Sequence, residues 1–178
     1  MTAVIKIDTT GLPKSKGFNN YYEYTETDKY NSSRIVSFEY VKNGKFHKHI
    51  IKLSDGVPEI KNKHFHGIDS NMVKDKGVSI ETVINPLLSC DSIVCFGSNF
   101  TINVLCSELY RIGRTDLIEN IKNKRIICLM ENLTDIMKIK LEHGGYKAPS
   151  AFEAYSFKCR KTCNHITAKE LCEIYERM

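Results

Sequence analysis

The chain has 178 residues and a net charge of +5, with 42% hydrophobic and 26% charged residues. That is one domain's worth of an ordinary globular protein, with no repeat and no low-complexity segment, and residues 1–178 are expected to form a single domain. No apolar run reaches membrane-spanning length and the first residues do not read as a signal peptide, so a cytosolic type of compartment and no membrane partner are expected. The mild positive charge suits an anionic partner without selecting one. The seven cysteines (Cys90, Cys95, Cys106, Cys128, Cys159, Cys163 and Cys172) are odd in number and irregularly spaced. Several lie in apolar runs, so reduced, buried thiols are expected rather than a disulfide framework.

AVIKI, residues 3–7, is short, rich in β-branched residues and followed by a Gly-Leu-Pro turn, and predicts a strand. Residues 13–33 carry turn residues and tyrosines without a period, and predict a long surface loop. RIVSFEYV (34–41) and FHKHIIKL (46–53) flank Asn43-Gly44, a strong hairpin signal. Helical spacing follows in 80–89, a buried-type strand in 92–97, and an amphipathic helix over 100–113 that closes on Gly113. RIICLM (125–130) predicts another buried strand, and 133–139, 150–158 and 167–178 predict helices. Thr167 and Glu170 are spaced as a capping box for the last of these. A leading strand, a hairpin and then alternating helices and strands describe an α/β layer, a mixed central sheet with helices on both faces.

Four segments, in order, resemble the DEDDh (DnaQ-like) 3′–5′ exonuclease family. IDTTGLP (7–13) is similar to the family's D-x-E-T-T-G-L, and FHGIDSNMV (65–73) to its H-G-I-T-x-x-M-V loop. VCFGSNFTINVLCSELYRIGR (94–114) is similar to V-A-H-N-x-x-F-D-x-x-x-L-x-x-E-L-x-R-x-G, and NHITAKELCEIY (164–175) to the family's closing histidine–aspartate helix. The resemblance implies a ribonuclease-H-like exonuclease fold. The stretch from Leu12 to Tyr40 also looks like versions of this domain carried by large DNA viruses, which implies a virion or an infected cell as the setting.

The family holds two divalent metals on four carboxylates and uses a histidine as general base. Carried over by position, the leading aspartate falls on Lys6 and the following glutamate on Asp8. The family's His-Asn falls on Phe96-Gly97 and the next aspartate on Thr101. The histidine is kept as His165, and the last aspartate becomes Glu170. These are vestigial positions, because an ammonium in the cage repels the ion and fills its room. No metal and no cofactor is expected. Lys6 is expected beside Asp8 and Glu170 in an open, water-filled cleft.

The resemblance offers Thr9, Thr10, Leu12 and His66 as nucleic-acid contacts. His165 reads either as a surviving base or as a leftover polar residue. Cys159, Cys163, His165 and Cys172 do not have a standard zinc spacing, and in His64-Phe65-His66, the other candidate metal pair, His66 is accounted for by its loop. The tyrosines and lysines of 13–33 and 42–48 suit either a single-strand groove or a solvated loop. The leading expectation is a catalytically silent exonuclease homologue that binds nucleic acid or a protein partner in a nucleic-acid-related assembly. A working exonuclease with a rearranged site and a purely structural assembly component are the alternatives.

Overall fold

The computed structural model describes residues 1–53, 56 and 58–178. The first apolar run forms β1 (Thr2–Thr9), the central strand of a five-stranded sheet. After a short hairpin of β2 (Ser15–Gly17) and β3 (Asn20–Tyr21), the chain forms β4 (Ile35–Lys42) and β5 (Lys45–Ile50). Asn43 and Gly44 have φ of 51° and 69°, the paired positive values of a two-residue hairpin turn. β6 (Ser92–Cys95) and β7 (Arg125–Cys128) complete the order β5-β4-β1-β6-β7. β4 and β5 run antiparallel to their neighbours, whereas β1, β6 and β7 are parallel.

The helices are α1 (Lys63–His66), α2 (Ser70–Lys76), α3 (Ile80–Ile84), α4 (Ser98–Arg111), α5 (Thr115–Lys122), α6 (Leu129–Met137), α7 (Ala151–Cys159) and α8 (Ala168–Glu176). Alternation along β1 sorts them into two layers. Ala3, Ile5 and Ile7 point to the side of α3, α4 and α5, where Val104, Leu105, Leu109 and Ile118 close the larger core. Val4 points the other way, with Val41 and Val94, onto Leu133 of α6, Ala154 of α7 and Leu171 of α8. Lys6 and Asp8 share the parity of Val4 and therefore face this second layer.

Several boundaries differ from the expectations. Residues 13–33 are not a plain loop: they contain the β2–β3 hairpin and a 3₁₀ turn, Thr27–Tyr30. Tyr30 is buried and donates its hydroxyl hydrogen to the Tyr22 carbonyl, so an anchored aromatic orders this segment without a period. The helix expected over 80–89 stops at Ile84, and Asn85–Leu87 continue as a 3₁₀ turn because Pro86 supplies no N–H. RIICLM is strand only to Cys128, where pairing with Cys95 of β6 ends, and Leu129 and Met130 already belong to α6. The short helices α1, α2 and α5 were not foreseen. The seven cysteines are free thiols, five of them buried. Among the described residues no helix is long and apolar enough to cross a membrane.

Candidate functional site

β6 pairs with β1 only at Thr2, Ala3 and Val4 and ends at Cys95, while β1 continues to Thr9. The two parallel strands part at their carboxyl ends and leave a crevice, which is where open α/β sheets place ligands. A cavity of about 190 Å³ occupies it, lined by Lys6, Phe96, Phe100, Thr101, Phe152 and Ile166 among others. A second cavity of about 430 Å³ shares Phe96 and Phe100 and runs out to Phe18, Tyr21 and Met130. The two are adjoining parts of one cleft whose walls are mostly aromatic and aliphatic.

Lys6 projects into the smaller cavity, and its Nζ lies 2.5 Å from Asp8 Oδ1. The side chains are only 16% and 12% exposed, so the pair is largely buried rather than set in open water as expected. Apolar side chains, Phe96, Phe100, Phe152 and Ile166 among them, line the cavity around Lys6. Glu39 pairs with Lys6 in the β1–β4 register and faces the same way. It is fully buried, with Lys48 Nζ 2.9 Å from Oε1 and the Ala168 N–H donating to Oε2 at 3.0 Å. Sequence reasoning missed this acid. Its only signal was a lone carboxylate inside the apolar run RIVSFEYV.

The expected neighbour of Lys6, Glu170, is committed elsewhere. Its Oε2 accepts from the Thr167 backbone N–H at 2.7 Å and from the Thr167 hydroxyl, closing the capping box of α8. Burial alone would raise the Glu170 pKa, but the Thr167 hydrogen bonds outweigh it and hold the carboxyl below its ordinary value. His165 sits half-buried on the loop before α8, near enough to Glu170 to add to that effect. Thr101 is buried in the first turn of α4, its hydroxyl donating a long 3.5 Å bond to the Phe96 carbonyl. Gly97 caps α4 with φ of 71°, a left-handed value that a side chain would strain.

The four expected nucleic-acid contacts divide sharply. The Thr9 hydroxyl donates to the Gly11 carbonyl at 2.7 Å, and that of Thr10 donates to the Ser32 carbonyl at 3.0 Å while accepting from the Arg34 N–H. Both threonines are buried and lock the turn to the start of β4. Gly11 is required in that turn, since a Cβ there would meet Ser32 O at 2.7 Å. His66 Nδ1 accepts from the Ile68 N–H at 3.1 Å, which leaves the proton on Nε2. Burial pushes the His66 pKa below its ordinary value, against the pull of Asp8. Leu12 alone of the four is open, at 72% exposure.

Two divalent ions need a cage of hard, mostly anionic oxygens. The groups present do not fit that need. An ammonium already holds Asp8, Glu170 closes its own helix cap, and Thr101 offers a neutral hydroxyl turned to a carbonyl. Among the described residues no group of three or more His, Cys, Asp or Glu side chains is placed to hold an ion, and this includes the cysteines near His165.

No family model matches the chain, and neither does any curated protein. Among solved structures it is similar to Exonuclease X in complex with 5′ overhanging duplex DNA. That likeness has 17% identity and a TM-score of 0.60, over 98% of this chain and 87% of that one. At this identity the likeness establishes the fold. The chain has the ribonuclease-H-like α/β fold of the exonucleases, a mixed five-stranded sheet between two helical layers, as the four motifs implied.

Proposed function

We propose that residues 1–178 form one exonuclease-like domain that has lost phosphodiester hydrolysis and keeps its cleft to bind nucleic acid, as part of a larger nucleic-acid-related assembly. The observation that carries the reading is Lys6. Its ammonium, 2.5 Å from Asp8, takes both the room and the charge balance that a divalent ion would need there. The net charge of +5 and the aromatic cleft support nucleic acid as the ligand, and the protein of similar fold is described bound to duplex DNA. A protein partner in a viral complex is the extension suggested by the stretch Leu12–Tyr40. No cofactor enters this reading.

Two assays on the intact chain test it. A 3′-labelled strand incubated with magnesium or manganese should stay at full length. Metal-dependent shortening that disappears in Glu170→Ala would return the chain to the working exonucleases. A labelled oligonucleotide should bind at low salt and release steeply as salt rises, because bound lysines displace counterions from phosphates. No binding at low salt would leave the purely structural role.

A further inference from the structure

The β2–β3 hairpin is the part of the cleft that the four motifs do not account for. Gly17 pairs with Asn20, so Phe18 and Asn19 form its turn. Phe18 is 84% exposed, the largest exposure of any big apolar side chain among the described residues. It nevertheless stands on a braced support. The Asn99 side chain of α4 donates to the Asn19 carbonyl at 3.1 Å, and the Asn19 side chain reaches Glu131 of α6 at 3.5 Å. Tyr21, on the second strand of the hairpin, packs edge-on against Phe100 with ring centroids 6.0 Å apart. The phenyl ring is therefore held out at the mouth of the 430 Å³ cavity, facing water. Two exposed lysines, Lys14 and Lys16, lead into the hairpin turn, with Lys16 Nζ 4.8 Å above the Tyr22 ring, and one acid, the Glu131 that Asn19 reaches, stands near its support.

We propose that Phe18 is a stacking platform for an unpaired base of a single-stranded nucleic acid, with Lys14 and Lys16 beside it on the backbone phosphates. This deepens the nucleic-acid reading above and rests on it. Charge favours the occupant: two lysines lead up to the exposed ring in a chain of net charge +5, which suits a base carried between phosphates, whereas an apolar peptide gains nothing from the lysines. Geometry decides the strandedness. A base inside a duplex has both faces covered by its neighbours and cannot present one to a phenyl ring.

The test uses the full chain, an oligothymidylate and a blunt duplex of equal length. The sequence has no tryptophan, so Phe18→Trp introduces a single reporter at the platform. Phe18→Ala should keep the melting temperature, weaken oligothymidylate binding about tenfold and leave duplex binding unchanged. Phe18→Trp should keep the affinity, with its emission quenched by the bound strand. Wild-type binding with no loss in Phe18→Ala and no quenching in Phe18→Trp would overturn the platform and leave the nucleic-acid reading standing. No binding by the wild type at low salt would remove that reading, and the platform with it.

Discussion

The Glu39 carboxylate lies at the amino end of α8, accepting from the Ala168 N–H at 3.0 Å across 129 residues of sequence. A buried anion at a helix N-terminus meets the unpaired amide groups there and the positive end of the dipole. It pins the helix that carries the fourth motif onto the strand opposite Lys6. Glu39→Ala should cost about 2–4 kcal/mol, from the lost charged hydrogen bond and the stranded partners. The melting temperature should fall by roughly 5–12 °C. Glu39→Gln, which keeps an acceptor for Ala168, should lose less. An unchanged melting curve for Glu39→Ala would mean that apolar contacts alone hold α8.

Lys6→Ala should destabilise by about 3 kcal/mol in denaturant titrations, because it strands a largely buried Asp8. The double variant with Asp8→Ala should recover part of that loss, which a double-mutant cycle measures. A loss near 0–1 kcal/mol would mark the pair as screened by water like a surface pair.

Lys6→Asp by itself should restore no metal-dependent cleavage. Glu170 would still close its helix cap and Thr101 would still offer only a hydroxyl. The expected requirement for cleavage is Lys6→Asp together with Asp8→Glu, Thr101→Asp and Glu170→Asp. Strand shortening by the single variant would show that the remaining groups already form a competent cage.

Acid should loosen the start of α7 before it unfolds the chain. The Lys147 ammonium and hydrogen bonds with Ser150 hold the Glu153 carboxyl down, from an ordinary value of 4.5 to about 2. The folded state therefore binds this proton less readily than the unfolded chain. Its contribution is complete above pH 4.5 and is lost as pH falls towards 2. Amide exchange in the first turn of α7 should speed up through that window, and Glu153→Ala should remove the pH dependence.

Lys14→Ala and Lys16→Ala should each reduce the salt dependence of oligonucleotide binding by about one unit of slope, and weaken it alike for all base sequences. Equal slopes in wild type and variants would place the phosphates elsewhere on the surface.

Much of the fold was legible because its signals are local. Asn43-Gly44 specifies its own turn, Thr167 and Glu170 their own cap, and the apolar runs at 92–97 and 125–130 the strands β6 and β7, of which β6 is buried as expected while β7, at the sheet edge, buries only Cys128. The site was legible only in part because its contacts are not local. The Glu170 spacing specified the capping box that forms, but the resemblance also placed this carboxylate beside Lys6, and only the folded geometry shows it taken up by Thr167. Glu39 meets Lys6 only through strand register, and Ala168 only through the docking of α8. The threonines after Asp8 read as groove residues, yet Ser32 and Arg34, brought close by the long excursion between β1 and β4, take up the Thr10 hydroxyl.

An ion held by carboxylates comes and goes with its concentration in the surroundings, and a chelator removes it. The positive charge beside Asp8 is instead attached by four methylene groups and arrives with translation. It cannot be exchanged for calcium, stripped by nucleotides that sequester magnesium, or lost on dilution. A cleft furnished in this way has the same electrostatics in a metal-starved compartment as in a replete one.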